Sequence, residues 1–499
     1  MRGTRPHGFI VAATHSGAGK TTASCAVMAL LAERGYAVQP FKIGPDFIDP
    51  GYHRLAAGSD SINLDLWMMG EAAIRAALQR HAGSAATAVA VIEGMGALYD
   101  GENGGSDRGS AAWFARRLDL PVLLVVDIWG MTRSTAAVIR GFEAFDPRIE
   151  IAGFLLNRAG SRRHFEMVCA ALPHGMRRRV VGYLPADAAI AVAERHLGIV
   201  TVEENPGAGG LRDRILARAR ETIDLGALLQ RMGVERRRAA AAGAPASPEP
   251  PAATRPPSRP QRPVHPLQPR RGSPAAGAVR IGVARDEAFC FYYQENLRLL
   301  AAAGAELVPW SPVHDRQLPA AVDGLYIGGG YPESFAAELA ANAPMLRSLR
   351  AFARRGAPIH AECGGLMYLG EALTDYDQRR HSMAALLPLA TAMDRSHLAI
   401  RYVAIETTRQ TVLGPPGTRA RGHEFHQSRL LPSTLGEPAR SANAAAAAGA
   451  FRVTDGRGPG PLADGFTAGN VLGSYCHLHW SSNPRIPRYF VELCRSAAR

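Results

Sequence analysis

Two doubly wound α/β domains, each a mostly parallel sheet flanked by helices and joined by a Pro/Ala/Arg-rich linker, are the architecture this sequence predicts. Three observations lead there. Short apolar segments alternate with helical stretches over the first 238 residues, the alternation stops over Ala239–Ala278, and it restarts at Val279. Such alternation means parallel strands with covering crossovers, because a parallel neighbour can be reached only through a long connection, usually a helix. At 499 residues and 47% hydrophobic content, the chain exceeds what one core organises and suffices for two. The expected domains are residues 1–238 and 279–499, with the linker over 239–278.

In chain order, the expected strands of the first domain are Gly8–Ala13, Ala37–Ile43, Ala88–Glu93, Pro121–Asp127 and Ile151–Asn157. The basic and then apolar stretch from Met1 to Ala13 has the outline of a signal peptide. It runs straight into a Gly-rich loop with no cleavage-site pattern, which makes it a first strand instead. Residues 239–278 hold 11 of the 35 prolines, five Arg against one Glu and no apolar periodicity, which predicts a semi-rigid, largely disordered linker. The second domain is expected to use Val279–Ala284, Glu306–Trp310, Gly324–Ile327 and Pro358–Glu362 as strands, with the run Ala444–Ala448 as a loop insertion.

Composition removes several function classes. No apolar run approaches the roughly 20 residues that span a bilayer, so no membrane partner is expected. Cys25, Cys169, Cys290, Cys363, Cys476 and Cys494 show neither a C-x-x-C pair nor metal-ligand spacing. That pattern suits a reducing cytoplasm and argues against a disulfide framework or a zinc site. Part of the +13 formal charge lies in the linker and the rest is dispersed, so no nucleic-acid partner is expected.

The first chemical motif follows the first strand directly: Thr14-His15-Ser16-Gly17-Ala18-Gly19-Lys20-Thr21-Thr22, then a stretch rich in Ala, Val, Met and Leu. Strand, loop and helix stand in the order a phosphate-binding loop requires. Gly17 and Gly19 let backbone N–H groups turn toward phosphate, the helix N-terminus favours anions, Lys20 reaches the outer phosphates and Thr21 can ligate Mg²⁺. ATP and Mg²⁺ are therefore expected, with Thr14 and Thr22 completing the loop's nucleotide set. Magnesium also needs carboxylates from neighbouring strand ends. Glu93 ends one strand before the turn Gly94-Met95-Gly96, and Asp46 follows another in Lys42-Ile43-Gly44-Pro45-Asp46-Phe47-Ile48-Asp49-Pro50. Acids after strands also cap helices, so each position alone is ambiguous.

The second motif is His360-Ala361-Glu362-Cys363-Gly364-Gly365 between an expected buried strand and a helix. A sharp strand-to-helix turn presents the thiol, and the helix N-terminus favours thiolate. A lone Cys is more often a small buried apolar residue, but this one has partners. Gly328-Gly329-Gly330 follows a strand and can aim N–H groups at an oxyanion, with Gly364 contributing beside the nucleophile. Cys476-His477-Leu478-His479 places two imidazoles on one side of an extended segment. Cys363 is the expected nucleophile, with an imidazole of this segment as its base.

Several of these stretches carry a resemblance. Thr14, where the general loop pattern has Gly, matches the dethiobiotin synthetase-like branch. Gln39–His53, Asn63–Met68, Ile92–Gly96 and Tyr99-Asp100-Gly101 resemble the cobyrinic/hydrogenobyrinic acid a,c-diamide synthase family. The segments around Cys363, His477 and Gly422-His423-Glu424-Phe425-His426 resemble the cobyrinic-type class I glutamine amidotransferases. The resemblance spans nearly the whole chain apart from the linker. It implies that His477 is the base that activates Cys363, that Asp46, Asp49, Glu93 and Asp100 handle metal or substrate, that Thr21, Asp46 and Glu93 hold Mg²⁺, and that Asn157 reads adenine. Many relatives in the wider class carry a carboxylate two residues after the base, where this chain has His479, so what orients His477 stays open.

The family implies a corrinoid polycarboxylate, L-glutamine and ATP as small-molecule partners, and a homodimer is possible. The expected reaction is glutamine hydrolysis at Cys363, passage of ammonia through an interdomain channel, and amidation of the a and c acetates through acyl phosphates. Cobyric acid synthase and a nickel-sirohydrochlorin amidase share both domains and stay open. A dethiobiotin synthetase-like carboxylase would need no Cys363 or His477, and a partitioning ATPase places a Lys where this chain has His15. No residue separates the metal-free from the cobalt substrate; the Arg, Ala and Pro content leans toward a GC-rich source and the oxygen-dependent, metal-free route.

Overall fold

The computed structural model describes residues 7–82, 88–192, 194–195, 198–205, 207–234, 278–431, 449–455 and 462–498. The expected linker, apart from Ala278, and the expected insertion Ala444–Ala448 lie outside them. The chain divides into two compact units, with residues 67–69 grouped with the later one.

The first unit contains, in order, β1 (Gly8–Ala13), α1 (Lys20–Glu33), β2 (Ala37–Ile43), α2 (Asp49–Ala57), β3 (Ile62–Leu64), α3 (Leu66–Ala82), β4 (Ala88–Glu93), α4 (Ala111–Leu118), β5 (Val122–Asp127), α5 (Ser134–Phe145), β6 (Ile151–Ala159), α6 (Arg162–Ala171), α7 (His174–Arg177), β7 (Val180–Pro185), the short strands β8 (Glu194–Arg195) and β9 (Gly198–Ile199), α8 (Leu211–Thr222) and α9 (Leu225–Arg231). Seven strands form one parallel sheet in the order β3-β2-β4-β1-β5-β6-β7. All six residues of β1 are buried, as a strand covered on both faces requires. The strand order reverses around β1, so the loop after it opens at the topological switch point, where open α/β sheets bind ligands. The expected strands are all present, with β6 running two residues further. The unexpected β3 and β7 sit at the sheet's two ends; each is short or interrupted by Asn63 or Gly182, which hides it from a search for apolar runs.

The later unit has β10 (Val279–Ala284), β11 (Ala305–Trp310), β12 (Gly324–Ile327), β13 (Ile359–Glu362), β14 (Ala372–Thr374), β15 (Arg380–Ser382), β16 (Ala390–Met393), β17 (Ala399–Thr407), β18 (Arg419–His426), β19 (Ser428–Leu431), β20 (Phe451–Thr454), β21 (Leu462–Asp464), β22 (Phe466–Ala468), β23 (Val471–Ser474) and β24 (His477–His479). The expected sheet has the order β11-β10-β12-β13-β23-β22 and is parallel except for β22 at its edge. Beside it stand a mixed four-stranded sheet and a five-stranded antiparallel sheet, β21-β20-β17-β18-β24. The doubly wound core is as expected, and these two sheets are added to it. Several of their strands are short or, like Arg-Ala-Arg-Gly-His-Glu-Phe-His of β18, rich in polar residues, and do not read as buried strands. The antiparallel sheet matters for function because it pairs His423 of β18 with His477 of β24.

Candidate active site

The phosphate-binding loop is held from below by β6. Gly19 has φ 82°, and a Cβ there would lie 2.1 Å from Asn157 Nδ2, so the position admits only glycine without displacing the loop's support. Asn157 Nδ2 donates to the Ala18 carbonyl at 2.8 Å, and Arg158 donates to the Gly17 carbonyl at 2.8 Å and to Asp127 Oδ2 at 2.9 Å. Asn157 thus sits under the loop and shapes it. Thr14 Oγ1 lies 3.1 Å from His15 Nδ1. Lys20 and Thr21 begin α1, and Thr22 follows in its first turn. Burial lowers the affinity of Lys20 for its proton, and repulsion from Lys42 adds to it, while Glu93, Asp49 and Asp100 act in the opposite sense.

Beyond Thr21 lies a buried ionic cluster. Its hydroxyl is 3.1 Å from Asp49 Oδ1 and 3.2 Å from Glu93 Oε1. Lys42 Nζ donates to Asp49 Oδ2, to Glu93 Oε1 at 2.9 Å and to the Gly94 carbonyl at 3.2 Å, with Asp46 Oδ2 at 3.7 Å. His53 Nε2 lies 2.7 Å from Glu93 Oε2, and its Nδ1 is 3.1 Å from Ser61 Oγ. Burial would raise the Glu93 carboxyl, but Lys42 and His53 bring it well below the usual range. Burial and the neighbouring Asp46 hold Asp49 well above its usual range, against the pull of Lys42.

Asp46 occupies a different place from the other acids: its Oδ1 accepts from the N–H groups of Ile48 (2.8 Å) and Asp49 (3.1 Å), shaping the turn into α2. Asp100 likewise accepts from Ala97 N–H through Oδ2. A hydroxyl and two carboxylates converging on a cationic ammonium make an oxygen-donor set suited to a hard divalent cation such as Mg²⁺. Thr21, Asp49 and Glu93 are the residues that would hold it, with Asp46 at the rim.

In the later unit, Cys363 links β13 to the helix Gly364–Leu369 with φ 47° and ψ −103°. A non-glycine residue in this region is strained, and such strain at a strand-to-helix turn marks a presented nucleophile. The turn is fixed by Cys363 N–H donating to the Ser474 carbonyl at 2.7 Å. The Gly-rich loop after β12 passes so close that a Cβ on Gly329 would lie 2.4 Å from His477 Cε1 and 3.5 Å from Cys363 Cβ. A Cβ on Gly364 would lie 3.1 Å from Gly330 N. The expected nucleophile, the expected base and all three expected oxyanion glycines therefore meet. His477 is buried, and its ring stacks on His423 at 5.0 Å between centroids.

Two opposing effects act on the expected nucleophile and base. Burial pushes the Cys363 thiol up, Glu333 adds to this, and the Gly364 N–H opposes it without prevailing. Burial, then His423, lowers His477 to about 3, against the field of Glu362. Burial thus favours a neutral thiol beside a neutral imidazole, against the pull of the helix terminus toward thiolate. The Gly329→Ala variant is expected to push His477 away and to lower glutamine hydrolysis by about 10²-fold, read by glutamate release.

The comparisons fit this two-site geometry. Residues 9–199 match the model of the CobQ/CobB/MinD/ParA nucleotide binding domain, and residues 280–485 match that of the CobB/CobQ-like glutamine amidotransferase domain. A protein of Dehalococcoides mccartyi named cobyrinate a,c-diamide synthase is 40% identical over 490 residues, 98% of each chain. Proteins of the same name from Syntrophotalea carbinolica (40% over 488 residues, 98% of each chain) and Salmonella typhimurium (37% over 492 residues, 98% of this chain and 99% of that one) match equally fully. The chain belongs to the cobyrinate a,c-diamide synthase family.

For a cobyrinate a,c-diamide synthase, the residues missed in the sequence are Lys42 of β2, His53 of α2, Arg158 of β6 and Asp127 of β5, which support the loop and the ionic cluster. Lys42 and His53 lie in the stretch that carries the resemblance, and a Lys in a buried strand followed by Asp46 and Asp49 was the available signal.

The amidotransferase unit of this family member also carries a pH signature. Burial lowers His423 and His477 to about 3 and His426 and His479 to about 4. Unfolded, each returns to about 6.5 and binds a proton that the native state refuses, so this contribution to stability is complete above pH ~6.5 and is lost as pH falls toward the native values. Asp464, raised to about 6 by burial, and Asp286, also raised by burial, have the opposite sign but are two carboxyls against four imidazoles. Thermal midpoints recorded from pH 7 to pH 4.5 are expected to fall steadily; a flat profile would contradict the buried, neutral histidines.

Proposed function

We propose that this chain converts cobyrinic acid to its a,c-diamide, using glutamine as nitrogen donor and ATP to activate each carboxylate. The observation that carries this reading is the pairing, in one chain, of the Thr21–Asp49–Glu93 cluster beside a phosphate-binding loop with a strained Cys363 facing His477 and Gly329.

At the glutaminase site, the Cys363 sulfur attacks the side-chain amide carbon while its proton passes to His477. The oxyanion lies toward the N–H groups of Gly330 and Gly364. His477 returns the proton to the departing nitrogen, the C–N bond breaks and ammonia leaves. Water then hydrolyses the glutamyl thioester, again with His477 as proton acceptor.

At the other site, a corrinoid carboxylate oxygen takes the terminal phosphoryl group of ATP, releasing ADP. Ammonia attacks the resulting acyl phosphate, and phosphate leaves as the amide forms. Phosphorylation is needed because a carboxylate is a poor electrophile. Lys20 binds the transferring group, and Gly17 and Gly19 shape the loop that cradles the phosphates. Thr21, Asp49 and Glu93 would hold Mg²⁺, which when bound neutralises charge on the phosphates. Asp46 and Asp100, near the mouth of this cluster, are proposed to position the corrinoid, and Asn157 to support the nucleotide end of the loop.

The names of the relatives favour the cobalt-containing acid over the metal-free one. The test is a paired assay with ATP, Mg²⁺ and glutamine, supplying cobyrinic acid in one reaction and hydrogenobyrinic acid in the other, read by mass spectrometry. Two amidations of cobyrinic acid support the reading. Preference for hydrogenobyrinic acid moves the enzyme to the metal-free substrate, and amidation of neither defeats the corrinoid assignment.

A further inference from the structure

The base His477 lacks the carboxylate that many class I amidotransferases place two residues later, where this chain has His479. A buried carboxylate reaches the same segment from the opposite direction. Glu362 ends β13, immediately before the nucleophile, and is 1% exposed. Its Oε1 accepts from the Leu478 N–H at 3.1 Å and lies 3.2 Å from His360 Nε2, and its Oε2 accepts from Tyr326 OH at 2.9 Å. Leu478 is the residue after His477. On the other side of the segment, Cys363 N–H donates to the Ser474 carbonyl, and Glu362 pairs with Ser474 in the parallel ladder of β13 and β23.

Nucleophile and base are thus tied together twice. The backbone of Cys363 binds the chain just before Tyr475-Cys476-His477, and the side chain of its neighbour binds the chain just after. We propose that Glu362 is a positioning residue of the glutaminase reaction that takes over the role of the missing carboxylate. It fixes the backbone that carries His477 and sets a negative charge beside the imidazolium formed when His477 accepts the Cys363 proton.

The direction of its field supports the charge role. Glu362 favours the protonated imidazole, whereas burial, His423 and His426 oppose it. Among these neighbours Glu362 is the carboxylate that favours the imidazolium. Tyr326 and His360 hold the side chain in place, so little reorganisation accompanies proton transfer, the condition under which fixed charge is most effective. The assignment rests on the glutaminase reading given above, whose own failure would show as absence of glutamine hydrolysis by the unaltered protein.

The experiment compares full-length Glu362→Gln and Glu362→Asp variants with the unaltered enzyme. Glu362→Gln keeps an oxygen for the Leu478 N–H and removes the charge. It is expected to lower kcat for glutamine hydrolysis on the order of 10²-fold with KM little changed, and to move the acid limb of the kcat profile to lower pH. Glu362→Asp keeps the charge on a shorter arm, and its acid limb is expected to stay near that of the unaltered enzyme even if kcat falls. Ammonia-dependent amidation, measured on the same preparations, reports whether the protein is folded. Unchanged kcat and profile in Glu362→Gln would overturn the proposal. So would an equal displacement of the acid limb in Glu362→Asp, or a parallel loss of ammonia-dependent amidation in both variants, which would make Glu362 a stability element only.

Discussion

Cys363→Ala is expected to lose glutamine-dependent amidation by on the order of 10⁴-fold or more, the scale on which removing a covalent nucleophile acts, while amidation from free ammonia continues. The sulfur is the group proposed to attack the amide, at a strained strand-to-helix turn with φ 47° and ψ −103°. Alanine keeps the Cβ and the Ser474 tether, which uses backbone atoms, so the elbow itself should persist. The ATP-dependent step needs nothing from the thiol. Product formation is read by mass spectrometry with glutamine alone and with ammonium chloride alone at a pH that supplies free ammonia. Loss of both activities would contradict the division of labour between the two sites.

Lys20→Ala is expected to have the complementary outcome. Amidation should fall on the order of 10²–10³-fold with either nitrogen source, the cost of losing one fixed donor to developing charge, while glutamine hydrolysis measured without ATP is unchanged. Lys20 stands at the first position of α1 with only 8% of its surface exposed. Its ammonium faces the same side as Glu93, Asp49 and Asp100, whose fields reach it. Lys42 is no substitute, because its hydrogen bonds are already committed to Asp49, Glu93 and the Gly94 carbonyl. Amidation at the unaltered rate in Lys20→Ala would remove the loop from the reaction.

What the sequence disclosed was local. The Gly-rich loop follows an apolar strand and precedes an apolar helix, and Cys363 stands between a buried strand and glycines, so both signals are complete within about ten residues. What stayed hidden depends on pairing across the chain. Asp46 and Asp49 sit on one short turn and look alike on paper, yet the structure turns Asp46 back onto the N–H groups of α2 and brings Asp49 to the Thr21 hydroxyl. Lys42 and His53 gain meaning only through Glu93, which arrives from β4 some 40 to 51 residues later. Glu362 likewise had no visible partner, because its bond to Leu478 spans 116 residues. The antiparallel sheet that stacks His423 on His477 runs through β18, whose polar residues hide it from a search for apolar runs.

The central claim, that one chain draws nitrogen from glutamine and fixes it on two corrinoid carboxylates at the expense of ATP, is tested most directly by isotope. The enzyme is given ATP, Mg²⁺, cobyrinic acid and glutamine labelled with ¹⁵N at the side-chain amide, in a buffer containing a little unlabelled ammonium, and the product is weighed by mass spectrometry. The expected product carries two new amides, both ¹⁵N, and none forms when ATP is omitted. Unlabelled amides, or amidation without ATP, would contradict the account.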